Sequence, residues 1–146
     1  MIIISAEFDL ADPADMPKAM ELAIPLQQAT RDDEPGCLAY CFAPDPCIEG
    51  RMQVYELWED EASLAAHFQH PNYMNMGMGL GQIGLANASA HKYRVTAVEP
   101  VYDDTRKARA DFFTYDEQRP DEKIIIAGTI DAADPAAVPA ALEESI

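Results

Sequence analysis

Residues 34–73 read EPGCLAYCFAPDPCIEGRMQVYELWEDEASLAAHFQHPNY, and the fold is decided there. Pro35-Gly36 is a turn signal. Two runs rich in aromatic and apolar residues follow it, Cys37 to Ala43 and Met52 to Glu59, with the breaker-rich loop Pro44 to Gly50 between them. Such runs bounded by proline and glycine are strands, so the pattern predicts a β-hairpin with a long loop. Asp60 closes the second run. An aspartate there can accept the first free N–H groups of a helix, which places a helix from Glu61 to about His70, burying Leu64, Ala65 and Phe68.

Upstream of the hairpin, Ile2 to Leu10 read as a strand with Ile4, Ala6 and Phe8 on one face. Asp12-Pro13 then supplies an N-cap and a first-turn proline. Met16, Ala19, Met20, Ala23 and Gln27 follow at three-and-four spacing, the stripe of an amphipathic helix. Pro25 inside that stripe has no N–H to give to Glu21, so a kink or break is expected. A cofactor groove and a plain kinked core helix would both accommodate it. Asp32, Asp33 and Glu34 read as the solvated end of this helix.

Downstream, Pro71 must open a fresh turn. Asn72 to Gly84 combine Met74, Met76 and Met78 with Gly77, Gly79, Gly81 and Gly84, a composition that reads as a mobile wall over a pocket. A last strand is expected over Lys92 to Val101. The element order is then β-α-β-β-α-β, an α+β, ferredoxin-like split βαβ arrangement with an antiparallel sheet, over residues 1–101.

After Tyr102 the composition shifts, and residues 102–122 read as a linker carrying Phe112, Phe113 and Tyr115. From Ile124, IIIAGTIDAADPAAVPAALE repeats IIISAEFDLADPADMPKAME of residues 2–21 in constant register. Residues 123–146 are therefore expected to form an extra C-terminal strand and helix. The copy stops in mid-helix at Ile146, which reads as a piece of a tandem two-module protein whose second module replaces a partner subunit.

A chain of 146 residues that is 49% apolar can bury a core. Its formal net charge of −16 repels phosphate backbones and anionic lipid, which disfavours nucleic acid and membrane surfaces as partners. The N-terminus lacks the basic region of a signal peptide, and no apolar run approaches membrane-spanning length. Cys37, Cys41 and Cys47 fit neither a zinc pattern nor a disulfide framework; the first two, on one strand face, would lie roughly 13 Å apart. They read as reduced thiols, and the chain as a cytoplasmic protein.

Glu34-Pro-Gly-Cys-Leu-Ala-Tyr40, Tyr55-Glu-Leu-Trp-Glu-Asp60 and Ala65-Ala-His-Phe-Gln-His-Pro-Asn-Tyr73 together resemble the antibiotic biosynthesis monooxygenase family over about Met1 to Val101. The resemblance implies a ferredoxin-like sheet that packs on that of a second copy, a homodimeric α+β barrel with its ligand pocket between sheet and helices. The family includes cofactor-free oxygenases of quinols and anthrones, quinol oxidases, haem degraders and a sugar-phosphate isomerase, so it defines fold more tightly than reaction. Where many relatives carry histidine after the proline of the second helix, this chain has Asn72.

The residues able to do chemistry are few. Val54, Glu56 and Trp58 share one strand face, and Tyr55 and Leu57 the other; the pattern leaves open which face lines the pocket. His67 is a base or hydrogen-bond donor, since imidazole titrates near neutrality, or else a histidine bonded at the helix surface. Asn72 can orient an oxyanion and Tyr73 can donate to a phenolate; either can instead be a cap or a packing residue. His67, Asn72 and Tyr73 are thus the expected catalytic residues, and Trp58, Glu56, Tyr40 and Met74 the expected substrate-binding ones. His67 and His70 stand at i, i+3, but no acid completes a metal set of familiar spacing. His91 reads as solvated loop.

No phosphate cradle, nucleophile elbow, flavin or nicotinamide fingerprint is present. The expected function is a cofactor-independent monooxygenase using molecular oxygen on a small phenolic, quinol or polyketide-type substrate. Two alternatives stand beside it: a non-catalytic dimeric barrel holding a small hydrophobic ligand, and an isomerase using the same pocket. The isomerase would want basic residues, and only Arg51, Lys92 and Arg94 lie near the candidate strands.

Overall fold

A computed structural model describes residues 1–110; the repeat over 123–146 and residues 111–122 of the expected linker lie outside the described residues. The chain divides into two units, Met1–Thr96 and Ala97–Ile146. The first contains β1 (Ile2–Leu10), a 3-10 turn (Pro13–Asp15), α1 (Met16–Asp33), β2 (Cys37–Pro44), β3 (Arg51–Trp58), α2 (Glu61–His67), α3 (Pro71–Ile83) and β4 (Leu85–Arg94). Its four strands lie in the order β2-β3-β1-β4 with antiparallel neighbours, the split βαβ sheet. In the second unit, Tyr102 and Ala108 bridge around a turn where Asp103 Oδ1 accepts from the Thr105 N–H at 2.8 Å.

The two faces of the sheet are now distinct. Ile2, Ala6 and Leu10 of β1, Tyr40 and Phe42 of β2, and Met52, Val54 and Trp58 of β3 are buried with Ala19, Ala23, Leu64, Met76 and Leu80 of the helices. Glu56 alternates with these and belongs to the same face. Its strand partner on that side is Tyr40. Ser5, Glu7, Gln53, Tyr55, Leu57, Ser89, His91 and Tyr93 point from the opposite face, which none of these helices covers.

Pro25 causes no break: α1 runs continuously through it. Both Pro25 and Glu21 are exposed, so the carbonyl that proline leaves free can be satisfied by solvent. Two other α1 side chains close the outer edge of β2. Gln27 Oε1 accepts from the Phe42 N–H at 2.7 Å and its Nε2 donates to Phe42 O at 3.2 Å; Arg31 donates through Nε to Tyr40 O at 2.7 Å. An edge strand occupied this way offers little for another strand to pair with.

Four expectations need correction. Residues 71–83 form a regular helix, because Pro71 occupies its first turn and the His70 side chain caps it. α2 accordingly ends at His67 rather than near His70. The last strand is Leu85–Arg94, not Lys92 to Val101, and His91 stands on it rather than in a loop. Its sequence, LANASAHKYR, is poor in β-branched residues, so pairing with β1 overrides a weak local preference.

Candidate functional site

The site starts at the turn after α1. Gly36 sits at φ +81°, and a Cβ there would lie 2.1 Å from Ser63 Oγ, so only glycine lets α2 seat on this turn. Gly36 O also accepts from the Glu59 N–H at 2.8 Å, fixing the end of β3 to the same point. Glu34, the C-cap of α1, is thereby carried beneath α2 and is only 7% exposed. The expectation of a solvated Glu34 is wrong for this reason.

The buried carboxylate organises the site. Glu34 Oε2 lies 2.6 Å from His67 Nδ1, while Oε1 accepts from Asn72 Nδ2 at 3.1 Å. His70 Nδ1 is 3.2 Å from the same Oε1 and also 3.3 Å from the Asn72 N–H. It cannot serve both, since donating to the carboxylate needs a proton and capping the helix needs a lone pair. Burial pushes the His67 imidazole below its ordinary value, against the hydrogen bond and charge of Glu34. A neutral His67 that donates from Nδ1 carries a bare lone pair on Nε2. That nitrogen is buried and has no hydrogen-bond partner.

Aromatic rings surround it. His67 lies 4.6 Å from the Trp58 ring, 5.3 Å from Tyr40 and 5.2 Å from Tyr73, centroid to centroid. Trp58 and Tyr40 are fully buried, whereas Tyr73 and Phe68, the ring beside it, are 42% and 36% exposed. Burial keeps the Tyr40 hydroxyl protonated far above the usual phenol range. Trp58 Nε1 donates to Glu56 Oε2 at 3.0 Å, and burial pushes the Glu56 carboxyl up to about 7. With carboxylate, imidazole and rings converging here, the bare Nε2 of His67 is able to accept a proton.

The fold brings His67, Asn72, Tyr73, Trp58, Glu56 and Tyr40 to this region. Met74 is 48% exposed, and the methionine of α3 that enters the core is Met76. Glu34 is not among the expected site residues. One signal pointed to it: three acids in the last turn of a helix oppose its dipole, so one of them is expected to have another partner. Among the described residues, no group of three His, Cys, Asp or Glu could hold a metal ion. All three cysteines are free.

The family model for antibiotic biosynthesis monooxygenases matches residues 1–76. Among solved structures, a candidate antibiotic biosynthesis monooxygenase from Caulobacter crescentus is 23% identical at TM-score 0.60, over 67% of this chain and 90% of that one. Another from Deinococcus radiodurans is 20% identical at TM-score 0.64, over 70% of this chain and 100% of that one. A conserved protein from Methanosarcina mazei is 23% identical at TM-score 0.58, over 64% of this chain and 90% of its own. At these identities the likeness establishes the fold. No curated protein matches the chain significantly.

Proposed function

The chain belongs to the antibiotic biosynthesis monooxygenase family, and from that premise we propose that it is a cofactor-independent monooxygenase of a small phenolic or quinol-like substrate. The observation that carries this reading is the unpartnered, buried Nε2 of His67, whose other nitrogen is held by Glu34. A base so placed has its lone pair ready and its tautomer set.

The phenolic O–H, or the C–H of its keto form, gives its proton to His67 Nε2, and Glu34 stabilises the imidazolium. The anion passes an electron to dioxygen, and the two radicals join as a carbon peroxide anion, which takes the proton from His67 to become the hydroperoxide. His67 then takes the remaining hydrogen of that carbon as a proton while the C–H electron pair forms the carbonyl and the O–O bond breaks, and it returns the proton to the departing hydroxide as water. Trp58 and Tyr40 supply a flat apolar wall for the ring, and Tyr73 a phenol able to donate to the anion. Asn72 acts through Glu34, to which its amide is bonded.

The sugar-phosphate reading has less support. Arg51 points from the opposite sheet face, where its Nε and one terminal nitrogen bind Asp9 at 2.7 and 3.0 Å, and Arg94 pairs with Glu61 at 2.7 Å. The proposal includes a homodimer closed through the helix-free face, where Tyr55, Leu57 and Tyr93 stand. Oxygen uptake with a panel of quinols and anthrones tests the reaction. Uptake above the buffer control that His67→Ala abolishes is expected; uptake equal to the control across the panel overturns it and leaves ligand binding as the better account.

A further inference from the structure

Two buried titratable groups flank Trp58 on the helix side of the sheet, and the oxygenase reading uses only one. His67 packs on the indole ring at 4.6 Å, and Glu56 binds the indole N–H at 3.0 Å. Tyr40 ties them further: its ring lies 5.3 Å from His67 and 6.3 Å from Trp58, and Glu56 is its strand partner. The indole N–H occupies Glu56 Oε2, which leaves Oε1 to carry a proton. A carboxyl whose bound donor is an uncharged N–H, with no cation at hydrogen-bond distance among the described residues, is better suited to being an acid than to being an anion.

We propose that Glu56 and His67 are an acid–base pair, and that the site moves a proton from carbon to oxygen on a small aromatic ketone without any need for oxygen. The C–H bond next to the carbonyl breaks, and its proton goes to His67 Nε2. Glu56 Oε1–H gives its proton to the carbonyl oxygen as the C–H electron pair becomes the enol double bond. The products are an enol, an imidazolium on Glu34 and a Glu56 carboxylate, and solvent protons restore the pair. No electrons leave the substrate. The inference rests on the reading of His67 as the base, and it makes enolisation a step that precedes, and can be separated from, reaction with oxygen.

The directions of titration agree with the geometry. Burial lowers His67 and raises Glu56 to about 7, so neutral base and protonated acid coexist only in a window below about 7. Glu34 and His70 face His67, and Glu34 also faces Glu56; Cys37 and Tyr40 of β2 border both acids and stay protonated through this window.

The test is deuterium uptake at the benzylic C1 of 2-tetralone by the full chain in anaerobic D2O, followed by proton NMR. Exchange at least ten-fold above buffer is expected, with a bell-shaped pH profile rising as His67 deprotonates and falling above about 7. His67→Ala should abolish it. Glu56→Gln should slow it at least ten-fold and remove the alkaline limb. Exchange equal to buffer, or a wild-type profile lacking the alkaline limb, overturns the pair, and the second outcome needs no variant to fold. Because oxygen is absent, failure of the oxygenase reaction in air leaves this result standing.

Discussion

Replacing Glu34 by glutamine keeps its shape but puts an amide where His67 and Asn72 both donate. Only one of those bonds survives, and the histidine is no longer held in one tautomer. The proposed oxygen uptake should fall about 10²-fold or more while the fold persists. Glu34→Ala should cost about 3 kcal/mol in urea denaturation, since it strands a buried imidazole N–H. Nitrogen NMR of His67 at neutral pH should show a protonated Nδ1 and a bare Nε2; the reverse would remove the base. Glu56 makes a separate prediction about stability. Its carboxyl is raised from the ordinary 4.5 to about 7 in the folded protein. That contribution is fully present below 4.5 and is lost as pH rises through about 7, by about 3 kcal/mol at most. Glu56→Gln should therefore be more stable than wild type at pH 8 and not at pH 4, by thermal denaturation at both. Equal differences at the two pH values would contradict the shift.

At the scale of elements, the turn at Gly36 and the edge of β2 are the sensitive joints. Gly36→Ala forces a positive φ on alanine and drives its methyl into Ser63, at a cost of about 3 kcal/mol. Adding Ser63→Gly should recover the steric part and leave the backbone strain, which chemical denaturation of the two variants can separate. Gln27→Leu strands the Phe42 N–H and carbonyl and should cost about 2–3 kcal/mol. It also reopens the edge of β2, so light scattering should show faster aggregation than wild type at equal concentration. The strands with aromatic and apolar runs were legible here, and so were both aspartate helix starts, at Asp12 and Asp60. α3 was not, because its glycines lower intrinsic helix preference. The packing recovers that loss: a Cβ at Gly79 would lie 2.4 Å from a Leu22 methyl, so the glycine permits close approach of α1 and α3.

For the whole molecule, the proposed dimer brings together two chains of formal net charge −16. Sedimentation at micromolar concentration should show a dimer, and raising salt should tighten it by screening that repulsion. Tyr55→Asp on the helix-free face should yield monomer with an unchanged far-ultraviolet spectrum, whereas His67→Ala should leave the dimer intact. A wild-type monomer at every salt concentration would count against that face as an interface. Among the described residues no helix is long and apolar enough to cross a membrane.

The sequence alone determined the split βαβ order and the hairpin, because alternation, proline-glycine punctuation and helix caps act over a few residues. It also brought His67, Trp58, Asn72 and Tyr73 forward as candidates, since imidazole titrates near neutrality and an indole ring can stack on an aromatic ligand. Tertiary structure decided which face of β3 turns inward, because alternation separates two faces without labelling them. It alone decided that Glu34 is buried: the carboxylate is 33 residues from His67 along the chain, and only the Gly36 turn seated under α2 closes that distance. Long-range pairing likewise placed β4, whose residues have little preference for a strand until β1 offers them its hydrogen bonds.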